Sequence, residues 1–421
     1  MKHRGINRRA FIQAAGITAG AFTIVPRSVL GGNGFTPPSD QLTKAVIGVG
    51  AMGRFHFDYE GRLVAICDVD QNHLSEAESL SGANIKTYTD YRELLEQSDI
   101  DVVHIATPPH WHGIMAADAA RAGKDVWCEK PMTRTIGEGI ALRNVIAQQG
   151  RMFRLNTWFR FVDTFYGLGS TIHPVKKLVE NRVFGWPLKI TLNKSTGFDW
   201  KFFWSGRTDL DARSVPDHLN YDMWLGPAPY KPYHPDRVHV KFRGYWDYDG
   251  GGLGDMGQHY LDPAQYLLEK DETSPTTVLV DAPQQHPDAA GSWRRIEYTY
   301  ADGCKIVLDG ENRDRDASFI EGPSGKLYPN LRSDIAGIHQ LIAELPDPTL
   351  QLRSFSRSVR TREKFTLNEV NGHRSCTLIN LGVTALRLGQ NLTYDPLQER
   401  FVDNEAANRM INQSMRGAWR I

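Results

Sequence analysis

Short apolar, β-branched runs alternate with helix-patterned stretches through the first third of the chain, and each run ends in glycine, proline or polar residues. Lys44-Ala45-Val46-Ile47 leads directly into Gly48-Val49-Gly50-Ala51-Met52-Gly53. Leu63 to Cys67 is a second run, ending at Asp68, and Asp101 to Ala106 another, ending in Thr107-Pro108-Pro109-His110-Trp111-His112. A helix pattern over Gly113 to Ala122 precedes the strand Asp125 to Cys128 and the segment Glu129-Lys130-Pro131. A helix over Thr135 to Gln149 then precedes Arg151 to Asn156, which reads as a further strand. Only Arg54 to Gly61 separate the third glycine from the second strand, so the first helix is predicted to have about two turns. This alternation predicts an α/β fold with a doubly wound parallel sheet, whose ligands lie at the carboxyl ends of its strands.

Later the rhythm changes. Gly257 to Leu268 lacks internal glycine and predicts a helix. Thr276 to Val280, Arg295 to Tyr300 and Lys305 to Leu308 read as strands, the last two joined by a turn at Ala301-Asp302-Gly303, which fits an antiparallel sheet. Glu369 to Leu388 predicts a long helix that returns to the first domain. The tail from Asp395 to Ile421 is polar, and no internal repeat is evident.

Composition narrows the class. The 421 residues suggest two or three domains, and 49 basic against 49 acidic side chains give no electrostatic reason to expect nucleic acid or an anionic membrane as partner. The four cysteines, at 67, 128, 304 and 376, show no zinc spacing, so buried free thiols and no metal are expected. At the N-terminus, Asn7-Arg8-Arg9-Ala10-Phe11-Ile12-Gln13 and the small, uncharged run to Pro26 have the pattern of a twin-arginine export signal. A basic start to a cytoplasmic helix is the competing reading. Ala10 to Pro26 is too short and polar for a membrane span. A periplasmic or otherwise exported protein is therefore expected.

The first strand and its glycines predict a dinucleotide site. One glycine makes the tight turn, one lets backbone approach a pyrophosphate, and one allows close helix packing. Asp68, twenty residues after Gly48, is placed to accept from ribose hydroxyls and to repel a 2′-phosphate, which favours NAD over NADP. Arg54 can meet a phosphate, which keeps NADP open.

These motifs, with Gly250-Gly251-Gly252-Leu253-Gly254-Asp255-Met256-Gly257-Gln258-His259-Tyr260-Leu261-Asp262 downstream, resemble the glucose–fructose oxidoreductase / inositol dehydrogenase / rhizopine catabolism (Gfo/Idh/MocA) family over about residues 43–390. The resemblance implies an N-terminal Rossmann domain and a C-terminal α/β domain whose open, mostly antiparallel sheet serves as a homo-oligomer face. Expected boundaries are 1–39 for signal and linker, 40–160 for the NAD domain, 161–392 for the substrate and oligomerisation domain, and 393–421 for the tail. It also implies that Lys130, Asp255 and His259 occupy catalytic positions, and that exported relatives hold NAD tightly. Gly48, Gly50, Met52, Gly53, Asp68, Thr107, Pro108, His110, His112, Glu129 and Lys130 are the expected cofactor contacts. For His110 and His112, loop polarity or helix capping is the plain alternative.

Hydride transfer from a secondary alcohol needs a group to take the hydroxyl proton and a cation to steady the alkoxide. Lys130 can do either, and a helix through Asp255 would set His259 one turn further on as a proton shuttle. Asp255 as a helix cap with a buried His259 is the competing reading. Between the two halves, Trp158, Phe159, Trp200, Phe202, Phe203, Trp204, Tyr221, Trp224, Tyr245, Trp246 and Tyr248 accompany Arg160, Lys201, Arg207, His218, Asn220, His234 and Arg243. Aromatic faces with polar groups suit a carbohydrate, although most of these rings are expected in the core. Trp158, Arg160, Tyr221, Trp246 and His259 are the expected substrate contacts. Three classes follow: a NAD(P)-dependent oxidoreductase acting on a secondary hydroxyl of a sugar, sugar derivative or cyclitol; a redox-neutral glycosidase using bound NAD; and a scaffold that has lost catalysis.

Overall fold

Parallel strands covered on both faces must be apolar throughout, and the first sheet is built that way. The computed structural model describes residues 41–82, 85–161, 164–165, 168–196, 204–349 and 351–421. The proposed export signal and Trp200, Lys201, Phe202 and Phe203 lie outside the described residues. The compact unit from Thr43 to Ile421 carries everything below.

Its chain runs β1 (Thr43–Ile47), α1 (Ala51–Phe55), β2 (Arg62–Cys67), α2 (Gln71–Ser81), β3 (Lys86–Tyr88), α3 (Tyr91–Leu95), β4 (Val102–Ile105), α4 (His112–Arg121), β5 (Asp125–Glu129), α5 (Ile136–Gln149) and β6 (Phe153–Asn156). The six strands pair in parallel in the order β3-β2-β1-β4-β5-β6. The order reverses between β1 and β4, which is where a doubly wound sheet opens a crevice. Asp70, Asp90 and Thr135 cap α2, α3 and α5 through side-chain acceptors. The first helix, expected at about two turns, has five residues, because β2 begins at Arg62 and the intervening chain is spent on turns.

Then follow α6 (Ile172–Glu180), β7 (Lys189–Leu192), α7 (Tyr221–Leu225) and α8 (Gly251–Leu267), and next β8 (Thr277–Asp281), β9 (Arg295–Thr299), β10 (Lys305–Asp309), β11 (Ile320–Gly322), β12 (Gly325–Tyr328) and β13 (Arg332–Ser333). The chain closes with α9 (Ile338–Glu344), α10 (Phe355–Thr361), α11 (Glu369–Leu388), β14 (Leu392–Asp395), β15 (Arg400–Phe401) and α12 (Glu405–Arg409). Nine strands form a second sheet in the order β13-β12-β11-β7-β10-β9-β8-β14-β15, antiparallel except for β7 with β10. The predicted hairpin is present, with Ile306 opposite Tyr298. This α/β architecture agrees with the fold class expected from the sequence.

Helix α8 starts six residues earlier than its pattern predicts. Glycine opposes helix formation by about 1 kcal/mol each, so Gly252 and Gly254 are helical because packing demands it, while Gly251, at φ +64°, takes a left-handed conformation that favours glycine. A Cβ on Gly254 would sit 2.1 Å from Asp249 Oδ1, and one on Gly250 2.9 Å from Val383 of α11. The buried α11, capped by Asn368 at one end and left-handed Gly389 at the other, packs on both α5 and α8 and so joins the two sheets.

Between the sheets, α7 and its flanking 3-10 turns enclose a small core of their own, with Tyr221, Trp224, Tyr233, Phe242, Tyr245 and Tyr248 among its members. Most aromatics of this excursion are therefore structural, in line with the sequence reading.

Candidate active site

At the switch point the β1–α1 turn must pass against the end of β4, and only a residue without Cβ permits it. Gly48 has φ +82°, and a Cβ there would lie 2.8 Å from Thr107 N; a Cβ on Gly53 would lie 1.8 Å from Gly48 O. A cavity of about 480 Å³ opens over this turn. Gly48, Gly50, Met52, Asp68, Thr107, Pro108, Glu129 and Lys130 line it from the first sheet, and Trp224, Phe242, Arg243, Asp249 and Asp255 from the other side. Gly53 lies beneath, where it makes the turn possible. Asp68 is anchored by backbone: Oδ2 accepts from Val49 N–H at 2.8 Å and Oδ1 from Asp70 N–H at 3.0 Å.

Lys130 and Pro131 are joined by a cis peptide bond. Lys130 Nζ donates to the Asp255 carbonyl oxygen at 2.5 Å and to Asp255 Oδ1 at 3.1 Å. Arg243 Nε donates to the same Oδ1 at 2.7 Å. Asp249, buried six residues earlier, accepts from Gly250 N–H at 2.8 Å. Burial and then the charge of Asp255 push its carboxyl up to about 7. One acid is thus clasped by two cations, and its charge, after burial, helps raise the carboxyl of its neighbour.

Glu129 behaves oppositely. Burial alone would raise it, but the hydrogen bond from His56 Nε2 at 3.0 Å, the nearby Lys130 and the bond from Asn156 Nδ2 at 2.6 Å bring it down to about 2. Its Oε2 is buried with no hydrogen-bond partner among the described residues.

The remaining expected site residues fall elsewhere. His110 is buried and donates from Nε2 to Trp224 O at 2.9 Å, its pKa brought down to about 3 by burial. His112 bridges two loops, with Nδ1 2.7 Å from Pro131 O and Nε2 2.8 Å from Thr107 O. Both rings are buried and tie loop carbonyls together behind the cavity wall, so they are neither solvated loop residues nor helix caps, and neither lines the cavity. His259 follows Asp255 on α8, as the helical reading requires, but is buried one turn deeper: its ring stacks on Trp158 at 4.0 Å and Nδ1 accepts from Trp158 N–H at 3.3 Å.

Arg160 is consumed by the protein itself. Its side chain is wholly buried, bonded to Asp262 at 2.8 Å and Asp271 at 2.7 Å. Tyr221 donates to Lys231 O and buried Trp246 to His286 O. These three were expected at substrate and stand outside the cavity lining, because a buried donor must find a partner and the nearest was internal.

Asp249, Phe242 and His56 were not singled out from the sequence, and Arg243 only as one polar residue of the excursion. An acid immediately before a glycine run was the available signal for Asp249, since exposed helix-start N–H groups need an acceptor. For the others no spacing rule exists.

Residues 42–157 match the sequence profile described as oxidoreductase family, NAD-binding Rossmann fold, and residues 168–421 that of the oxidoreductase family C-terminal alpha/beta domain. The glycosyl hydrolase family 109 protein 1 of Shewanella sp. (strain MR-4) is 36% identical over 257 residues, 51% of this chain and 53% of that protein. The alpha-N-acetylgalactosaminidase of Shewanella oneidensis is 29% identical over 268 residues, 53% of this chain and 54% of that protein. The chain thus spans only about half the length of these curated relatives, 53% and 54%. Among solved structures, the WlbA dehydrogenase of Bordetella pertussis in complex with NADH and UDP-GlcNAcA is similar, with TM-score 0.61 and 18% identity over 84% of this chain and 98% of that one. The aldose-aldose oxidoreductase of Caulobacter crescentus has TM-score 0.54 and 18% identity over 84% of this chain and 99% of that one. At such identities the likeness is one of fold. With its two halves matched in order, the chain belongs to the Gfo/Idh/MocA oxidoreductase family.

Proposed function

We propose that the cavity holds NAD and that this chain oxidises a secondary hydroxyl of a sugar or sugar derivative there. The observation that carries the reading is the Lys130 ammonium, held at Asp255 on the wall of a cavity whose floor is the glycine turn. The cradle fits a dinucleotide: Gly48 and Gly53 let the turn pack against the end of β4 with the cavity open over it, and Asp68 on the lining offers a carboxylate to ribose hydroxyls. Asp68 supports NAD over NADP. When bound, NAD⁺ supplies the hydride acceptor. Lys130 then sets positive charge against the oxygen whose proton is leaving, and Asp249 takes that proton as carboxylate or returns it as acid. Glu129 and His112 keep the Lys130 loop in place.

The redox-neutral glycosidase is supported by Asp249. Elimination of a glycosidic group needs a proton for its oxygen, and a carboxyl titrating near 7 can donate one. The names of the curated relatives favour the same reading. Incubation with aryl glycosides in deuterated water separates the two: aglycone release with ring deuterium and no accumulating NADH marks the glycosidase, whereas NADH formed in step with oxidised sugar marks the dehydrogenase. Neither product across a sugar panel overturns both. Tight retention of NAD, twin-arginine export to the periplasm on the strength of Arg8-Arg9, and homo-oligomerisation through the second sheet complete the proposal. Native mass spectrometry of the exported protein reads nucleotide, mass and subunit number together.

A further inference from the structure

We propose that Asp70, His73 and His239, with His218 beside them, bind a borderline divalent cation such as zinc. His73 and His239 line the cavity, at the junction between the first sheet and the excursion that carries Arg243. The inference is independent of the catalytic reading above.

One ligand atom each from Asp70, His73 and His239 lie within 4.8 Å of one another. His239 Nε2 is 3.2 Å and His218 Nε2 3.7 Å from the same oxygen, Asp70 Oδ2. A tetrahedral zinc site with bonds of about 2.0–2.1 Å has ligand-to-ligand edges of about 3.3 Å. The Asp70–His239 edge is therefore already at that length, the Asp70–His218 edge is longer, and His73 must draw in to complete the set. The His73 and His239 rings already meet edge to face at 4.8 Å.

The backbone prepares the site without any cation. Gln71 N–H donates to His218 O at 2.9 Å, Asn220 N–H donates to Val69 O at 3.0 Å, and Asp70 bridges to Leu219. Asp70 Oδ1 is occupied by Asn72 N–H, as the cap of α2, which turns Oδ2 toward the imidazoles. Asp68 Oδ2 lies 3.7 Å from His73 Nδ1, where an outer carboxylate orients a metal-binding ring. Two or three nitrogens with one carboxylate suit zinc, cobalt, nickel or copper; calcium and magnesium take oxygen ligands. His73 and His239 both line the cavity, so an open coordination position on that side takes water or an oxygen ligand. A bound cation would clip the excursion to α2 and so hold the cavity wall that includes Phe242 and Arg243. The cysteine and histidine spacings excluded a metal from sequence because these ligands come from three separate segments.

The test uses untagged full-length protein stripped with chelator and titrated with Co²⁺. Expected is one saturable equivalent with a visible d–d spectrum, displaced by Zn²⁺ and weakened at least about tenfold in both His239→Ala and His73→Ala. No cobalt spectrum, or wild-type affinity retained in either variant, overturns the proposal. Should either variant lose its far-ultraviolet circular dichroism, Cu²⁺ electron paramagnetic resonance on the wild-type chain decides: coupling to at least two imidazole nitrogens supports the site, and its absence overturns it.

Discussion

Lys130 and Asp255 stand 125 positions apart in the chain and meet at 3.1 Å, the ammonium also reaching the Asp255 carbonyl oxygen. The contact closes β5 of the first sheet onto α8 of the second half, so the chemistry sits where the two halves join. Replacing Lys130 by Ala removes the cation but leaves the glycine turn intact. Activity is expected to fall by about 10²–10⁴-fold, the worth of a positioned acid–base group, while nucleotide remains bound. Steady-state rates alongside nucleotide stoichiometry by native mass spectrometry check it; unchanged turnover removes Lys130 from the mechanism.

Asp249 makes a pH prediction with a definite sign. Its folded pKa, about 7, lies above its ordinary value of 3.8, so the folded chain holds a proton that the unfolded chain releases between those values. Its contribution to stability is present below pH 4 and is lost as pH rises toward 7. In Asp249→Asn that slope disappears, so the melting temperature of wild type relative to the variant declines across this window and is flat above it. The same substitution is expected to abolish the limb of the pH–rate profile near neutrality. Parallel slopes in the two proteins would refute the assignment.

The glycine turn predicts a contrast between two alanine substitutions. Gly53→Ala places a methyl on the Gly48 carbonyl oxygen and is expected to abolish nucleotide binding together with the turn. Gly82→Ala, at φ +86° with open space around it, meets only backbone strain of about 1–3 kcal/mol and leaves nucleotide affinity unchanged. Denaturant unfolding and calorimetric titration with NAD distinguish them.

Arg160 tests structure against recognition. Truncation to Ala leaves the buried Asp262 carboxylate without its main partner, a loss of about 3–5 kcal/mol. A fall in stability with KM unchanged at permissive temperature is expected. A raised KM at intact stability would return Arg160 to the substrate site.

What could be read along the chain were features whose causes are local. Strand runs buried on both faces, the glycine turn, the Asp68 that follows β2 and the β9–β10 hairpin each depend on neighbours a few positions away. β3 escaped notice because Lys86-Thr87-Tyr88 is short and half exposed, so burial left no pattern in it. The extra turn and a half of α8 escaped because its glycines contradict helix propensity, and only the approach of Asp249 and Val383 explains them.

The sequence by itself determined the doubly wound first sheet, the dinucleotide turn and the lysine before Pro131, since periodicity and turn chemistry operate over a handful of residues. Only the tertiary structure decided that Arg243 and Asp249 join Lys130 and Asp255 at the cavity, that Arg160 and Trp246 are spent inside the protein, and that three histidines surround Asp70. Those outcomes depend on which buried polar groups come within hydrogen-bond reach after packing, and no local pattern encodes a distance between residues a hundred positions apart.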